Sequence, residues 1–329
     1  MPLTSPLALT MGEPAGIGAE ISVGAWTALR QDGPVFFYVG DPALLGDAPW
    51  REIADPAGAA AVFPAAIPVL PLPLAATAIP GRLDPRNAPA VIAAIERAVA
   101  LARSGAASAV VTNPIQKSVL TATGFAYPGH TEFLAALAPG EGPPVMLLAA
   151  AGLRAVPVTI HQSLKSAIDD LTSEKIVAVA RATAAGLARD FGIAAPRLAL
   201  CGLNPHAGEA GTMGLEDRDI IAPAIAQLRA AGIDARGPFP ADTLFTPHAR
   251  AGYDVALGMY HDQALIPVKT LDMAGGVNVT LNLGVVRTSP DHGTALDIAG
   301  QGRADAGSLV AALRLAAELA AHRLERKPA

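Results

Sequence analysis

The sequence predicts an α/β protein built as two layered lobes. Short apolar runs alternate along the chain with amphipathic, helix-length segments, the pattern of strands and crossover helices. Three of those runs lead straight into a histidine: Val156 to His161, Leu198 to His206 and Val255 to His261. With 329 residues, 51% of them hydrophobic, the chain exceeds most single cores and divides more naturally into two.

The elements follow in order. Leu7-Ala8-Leu9 is an apolar run, and Gly12 to Gly18 is a tight glycine turn that opens a helix from about Ala19. Val35 to Gly40 reads as a strand ending in glycine. Residues 56–81 carry no charge, but Pro64, Pro68, Pro71, Pro73 and Pro80 break them, so they read as a short buried strand with extended flanks rather than a membrane span. Ala88 to Arg103 is an Ala-rich helix with Ile92, Ile95 and Val99 on one face. Ala107 to Thr112 is a strand stopped by Asn113-Pro114. A helix is expected over Thr131 to Leu137, and strands over Val145 to Ala150 and Val156 to Ile160, around Gly152. A long helix runs from Thr172, its N-cap, to Arg189, ended by Gly192. Arg197 to Cys201 is a strand, Asp219 to Ala231 a helix stopped by Gly232, and Gly307 to Glu325 a terminal helix. The change of lobe is placed at Pro128-Gly129 and the return at Gly275-Gly276, giving 1–127 with 276–329 as one lobe and 128–275 as the other.

Composition excludes several classes of function. A net charge of −5 offers no basic surface for nucleic acid or anionic membrane. The single cysteine, Cys201, rules out a disulfide framework, fits a reducing cytoplasm and reads as core filler in an apolar strand. Met1 to Thr10 has neither the basic patch nor the length of a signal peptide.

The chemistry is expected at the strand ends. Open α/β sheets bind ligands at the C-terminal edge of their strands, where His161, His206 and His261 all fall. Each alone reads as an ordinary structural or surface histidine. Their shared placement predicts a divalent-metal site with an open position, suited to zinc, cobalt, nickel or iron more than to magnesium. Asp262 and Glu209 are available to hold a ligand's distal N–H, although Asp262 also reads as a cap of the next turn.

A second set is cationic and polar: His130, Thr131, Lys269, Asn278, Arg287 and His292. Lysine gives a point charge and arginine a planar fork, so these residues predict a pocket for an anionic substrate. The helix beginning after Gly129 can add backbone N–H groups to a phosphate. No dinucleotide fingerprint is present, since Gly12 to Gly18 departs from it in spacing and in Pro14. Asp242 reads as a proton acceptor, a metal neighbour or a turn cap.

Long stretches of the chain resemble the 4-hydroxythreonine-4-phosphate dehydrogenase family of vitamin B6 biosynthesis. They are GEPAGIG (12–18), PGHTEFLA (128–135), GLNPHAGE (202–209), GPFPADTLF (237–245), MYHDQALIPVKTL (259–271) and GVNVTLNLGVVRTSPDHGTALDIAG (276–300). A distant likeness to isopropylmalate and isocitrate dehydrogenases rests on His292 to Gly300.

The resemblance implies two α/β/α lobes with a central cleft and a homodimer with shared active sites. It implies a divalent metal (Zn, Co, Ni or Mg) on His161, His206 and His261, drawn from both subunits. The phosphorylated substrate would be gripped by His130, Thr131, Lys269, Asn278 and Arg287. NAD, with NADP as the alternative, would place its adenosine end near His292, Gly293, Thr294, Ala295, Leu296 and Asp297.

The implied reaction is metal-assisted oxidation of 4-phosphooxy-L-threonine at C3, then decarboxylation to 3-amino-2-oxopropyl phosphate. Asp242 and Lys269 are the groups to test for proton transfer. Gln116 stands where relatives often carry histidine, and no proton-transfer role is given to it. Three alternatives stand beside this reading. One is a same-family dehydrogenase of a phosphorylated threonate-type acid or a cyclic diol carboxylate. The others are a metal-dependent hydrolase or aldolase without nucleotide, and a non-catalytic binding protein.

Overall fold

The structure, a computed structural model, describes residues 5–127 and 129–325. Pro128, half of the expected lobe boundary at Pro128-Gly129, and residues 1–4 of the N-terminal stretch lie outside the described residues.

In chain order the main elements are β1 (Leu7–Thr10), α1 (Gly18–Leu29), β2 (Phe36–Gly40), β3 (Trp50–Glu52), β4 (Ile67–Pro71), α2 (Ala88–Ser104), β5 (Val110–Thr112), α3 (Lys117–Ala122) and α4 (His130–Leu137). They continue with β6 (Val145–Ala150), β7 (Leu153–Pro157), α5 (Leu164–Asp169), α6 (Ser173–Asp190), β8 (Leu198–Cys201), α7 (Ala222–Ala230), β9 (Ala235–Phe239), β10 (Val255–Gly258), α8 (His261–Leu271), β11 (Val277–Leu281), β12 (Arg287–Pro290) and α9 (Gly307–Glu325).

Two compact units divide the chain, residues 1–140 with 283–329 and residues 141–282. The edges lie later than the sequence placed them, and pairing explains both. Pro139 bridges Leu283, which keeps α4 and its exit with the first unit. Strand β11 pairs along its whole length with β6, which draws residues 277–281 into the second.

The first unit carries six parallel strands in the order β3-β4-β2-β1-β5-β12. Its central strands are apolar on both faces, as a parallel sheet covered by helices requires. Leu7, Leu9, Phe36, Phe37 and Tyr38 are fully buried, as are Ile21 of α1 and Leu309 of α9. Phe36 packs edge-on against Phe63, whose carbonyl accepts from Trp26 Nε1 at 2.8 Å.

In the second unit the order is β11-β6-β7-β10-β8-β9. Strands β11, β6 and β7 are antiparallel neighbours, whereas β7, β10, β8 and β9 run parallel. Ala151 and Gly152, both at positive φ, turn β6 into β7. This hairpin explains why β7 spans 153–157 and not 156–160: the chain pairs as soon as the turn ends and leaves the sheet after Pro157.

The helix expected from Asp219 instead starts as a π-turn over Asp217–Ile221 before becoming α7. The buried Asp217 carboxylate explains the distortion, because it accepts from Leu203 N, Asn204 N and Asn204 Nδ2 on another loop.

Helix α6 begins as its sequence predicts, with Thr172 Oγ1 accepting from Lys175 N at 3.2 Å. Thr172→Ala is expected to lower stability by about 1 kcal/mol, measured as a shift in the urea midpoint at unchanged slope. No described helix is long and apolar enough to cross a membrane.

Candidate active site

Three neighbouring parallel strands of the second unit, β7, β10 and β8, each lead at their C-terminal ends into one of the three histidines. His161 follows β7 by a short bend, His261 is the first residue of α8, and His206 lies in the loop after β8. The rings of His161 and His261 face each other with centroids 5.8 Å apart. They border a hollow of about 390 Å³, also lined by Thr159, Gln162, Ser163, Tyr260 and Asp262. Asp262 Oδ1 lies 2.7 Å from His261 Nδ1, so it accepts from that nitrogen and leaves Nε2 as the ring's electron-pair donor.

The backbone is strained at two of the three positions. His161 has φ +46°, and His206, Ala207, Gly208, Glu209 and Ala210 form a left-handed turn with every φ positive. A non-glycine residue there costs about 1–2 kcal/mol, so strain of this kind is retained where a site requires it. Asp217 holds the base of the His206 turn through its three bonds to residues 203 and 204. The buried Gln263 amide accepts from Met259 N and donates to Gly202 O, fastening together the exits of β10 and β8.

Imidazole donors fit a borderline divalent metal. The structure brings His161 and His261 together; His206 is exposed and does not line the hollow. Among the described residues no three His, Cys, Asp or Glu side chains of one chain are arranged to hold an ion. Asp242 is exposed, in the first turn of a short helix at Ala241–Leu244, and so is not the N-cap. Lys269 lies half-buried in the last turn of α8 and Asn278 half-buried on β11. None of these three lines the hollow.

The cationic set divides between the units, and the first unit has His130, Thr131, Arg287 and His292. Arg287 opens β12, is buried, and donates from Nη2 to Thr112 Oγ1 at 2.7 Å. Burial pulls its guanidinium down to about 10, so it remains a cation at neutral pH. His130 Nδ1 lies 3.4 Å from Arg287 Nη2 and accepts from it. Burial, then the charges of Arg287 and Lys117, hold the His130 imidazole well below its ordinary value. The ring is therefore neutral with its proton on Nε2, and that buried N–H meets no hydrogen-bond partner among the described residues. A buried donor of this kind beside a guanidinium is suited to an oxyanion.

The Gly12 to Gly18 turn and the 292–297 segment meet in the same unit. Ile17 N donates to Thr294 O at 3.0 Å, and a Cβ on Gly16 would stand 2.9 Å from that oxygen. Gly12 has φ +72° and lies against Pro114 O, leaving no room for a side chain. Thr294 Oγ1 donates to Gln116 Oε1 at 3.1 Å, so Gln116 braces this segment. Glu20 accepts from Gly300 N and, at 3.1 Å, from Gly302 N. His292 Nδ1 lies 3.0 Å from Gly293 O. Glu13 is buried in the turn, its carboxyl raised by desolvation and lowered in smaller part by Ala15 N.

Glu20, Asp217 and Gln263 escape a reading of the sequence as site residues, because each acts through backbone distant in the chain, and Glu13 because its burial is not a local property. Gln263 alone carried a signal, an amide directly behind a strand-end His-Asp pair.

Residues 35–316 match the family described as pyridoxal phosphate biosynthetic protein PdxA. The 4-hydroxythreonine-4-phosphate dehydrogenase of Caulobacter vibrioides is 56% identical over 97% of this chain and 98% of that protein. The one from Methylorubrum populi is 58% identical over 96% of this chain and 94% of its own length. In structure, the chain resembles the Klebsiella pneumoniae 4-hydroxythreonine-4-phosphate dehydrogenase with TM-score 0.86 at 38% identity, covering 97% and 99% of the two chains. It also resembles a terephthalate 1,2-cis-dihydrodiol dehydrogenase from Burkholderia xenovorans, with TM-score 0.63 at 32% identity over 95% and 98%. The match runs through the strands that deliver the histidines and through both halves of the cationic set, and the chain belongs to the PdxA family of pyridoxal phosphate biosynthesis.

Proposed function

We propose that this protein is a 4-hydroxythreonine-4-phosphate dehydrogenase that oxidises 4-phosphooxy-L-threonine at C3 and releases CO2 to leave 3-amino-2-oxopropyl phosphate. A dehydrogenase of this family uses a nicotinamide cofactor. Support comes above all from the delivery of three imidazoles by three adjacent parallel strands.

His161, His206 and His261 hold one divalent ion, Zn, Co, Ni or Mg, the set being completed across a homodimer. These residues would hold the ion where it would lend Lewis acidity to the C3 hydroxyl, and NAD, or NADP, would be the hydride acceptor. His292, Gly293, Thr294, Ala295, Leu296 and Asp297 would hold the adenosine end of the nucleotide. Arg287 neutralises the phosphate, and His130 and Thr131 donate hydrogen bonds that fix its orientation; Lys269 and Asn278 are further substrate-binding residues. Asp242 or Lys269 accepts the hydroxyl proton. Once C3 is a ketone, the neighbouring carboxylate is β to it, and the C–C electron pair passes into the carbonyl as CO2 leaves.

The test is an assay with 4-phosphooxy-L-threonine and NAD, following NADH and CO2 together. Equal, substrate-dependent formation of both is expected; NADH without CO2, or neither, refutes the reading. A second reading, oxidation of a cyclic diol carboxylate, draws on the Burkholderia xenovorans likeness. Turnover of that diol in preference to the phosphorylated amino acid would select it.

A further inference from the structure

We infer that Lys117 is a further substrate-binding residue, its ammonium gripping the substrate's phosphate together with Arg287 and His130 of the same unit. The inference rests on the function proposed above.

Lys117 opens α3, just beyond the C-terminal end of β5, and β5 is the parallel neighbour of the strand that begins with Arg287. Its side chain folds back towards the anion pocket. A Cβ on Gly129 would stand 3.4 Å from Lys117 Nζ and 3.7 Å from Cε, so the ammonium lies against the backbone immediately before His130. The backbone at Gly129 is extended, and the ammonium reaches it at ordinary contact distance. Glu132 Oε2 lies 2.8 Å from the same point, yet no ion pair joins Glu132 to Lys117 among the described residues. An exposed lysine is ordinarily just solvated. This one stands close enough to act on the His130 ring from the opposite chain segment to Arg287.

Two cations thus converge on a neutral imidazole whose buried Nε2 proton has no acceptor among the described residues. A phosphate dianion supplies what the arrangement lacks: an acceptor for Nε2 and two negative charges for the cations. The guanidinium fixes direction, and the ammonium adds a mobile point charge.

The test compares wild type with Lys117→Met, Lys117→Arg and Arg287→Met. It measures kcat/KM on 4-phosphooxy-L-threonine and on unphosphorylated 4-hydroxy-L-threonine, and the dissociation constant of inorganic phosphate by calorimetry. Lys117→Met is expected to weaken phosphate binding and kcat/KM for the phosphorylated substrate by about tenfold or more, chiefly through KM. The unphosphorylated substrate should be unaffected. Lys117→Arg should recover most of the loss. Equal losses on both substrates, or unchanged phosphate affinity in Lys117→Met, overturn the inference. If Arg287→Met loses phosphate affinity while Lys117→Met retains it, the role of Lys117 alone falls. If the wild type neither binds phosphate nor prefers the phosphorylated substrate, the functional reading falls with it.

Discussion

Replacing His206 with alanine is expected to reduce turnover by on the order of 10³-fold and to abolish tight metal retention, with little change in the stability of the metal-free protein. A Lewis acid at the reacting oxygen contributes several kcal/mol, and about 4 kcal/mol corresponds to that factor. His206 is exposed on its left-handed turn, so its imidazole contributes little packing to be lost. The folding effect should stay within about 0.5 kcal/mol, as for other surface substitutions. The experiment therefore reads two quantities: metal content after dialysis against a weak chelator, and the melting temperature of the stripped protein. Loss of metal at unchanged melting temperature assigns His206 to the ion. Full turnover by a metal-free variant would remove the ion from the reaction, and retained metal would remove His206 from the ligand set.

The turn that carries His206 also shows where the sequence ceases to be legible. Alternation of apolar and amphipathic segments located β2, α2, β6, α6 and α9 to within a residue or so, because burial and capping are local properties of the chain. The same reasoning put the histidines at strand ends, and β7, β10 and β8 carry them there. That these three strands are neighbours could not be read, since strand order depends on packing between segments up to a hundred residues apart. Nor could the run of left-handed residues from His206 to Ala210, because only Gly208 among them prefers that conformation. It is sustained from outside by Asp217, whose three bonds also turn the first part of the expected helix at 219 into a π-turn. The anion pocket divides in the same way. Arg287 and His130 were legible as polar residues at element ends, whereas Thr112 and Lys117 enter it through contacts across the first unit.

Arg287→Met should raise the KM for 4-phosphooxy-L-threonine by roughly a hundredfold, with a smaller effect on kcat. A charge-assisted pair is worth about 3 kcal/mol at the upper end, which gives that factor. The stability effect has the opposite sign from the loss of an ordinary buried side chain. Burial depresses the Arg287 pKa well below its ordinary value, to about 10, so the unfolded chain holds this proton more tightly than the folded one. Keeping the cation buried thus opposes folding by about 3 kcal/mol at neutral pH. That penalty is present in full below pH 10 and fades as pH rises from about 10 towards the ordinary arginine value. Methionine fills a similar volume without charge, and the Thr112 hydroxyl loses a donor but keeps its own proton to donate. The variant without ligand should therefore be at least as stable as wild type at pH 7. Added inorganic phosphate should raise the wild-type melting temperature, by repaying the cation's desolvation, and leave that of Arg287→Met unmoved. A variant that melts well below wild type would make Arg287 a structural brace. An unchanged KM would exclude it from the substrate site.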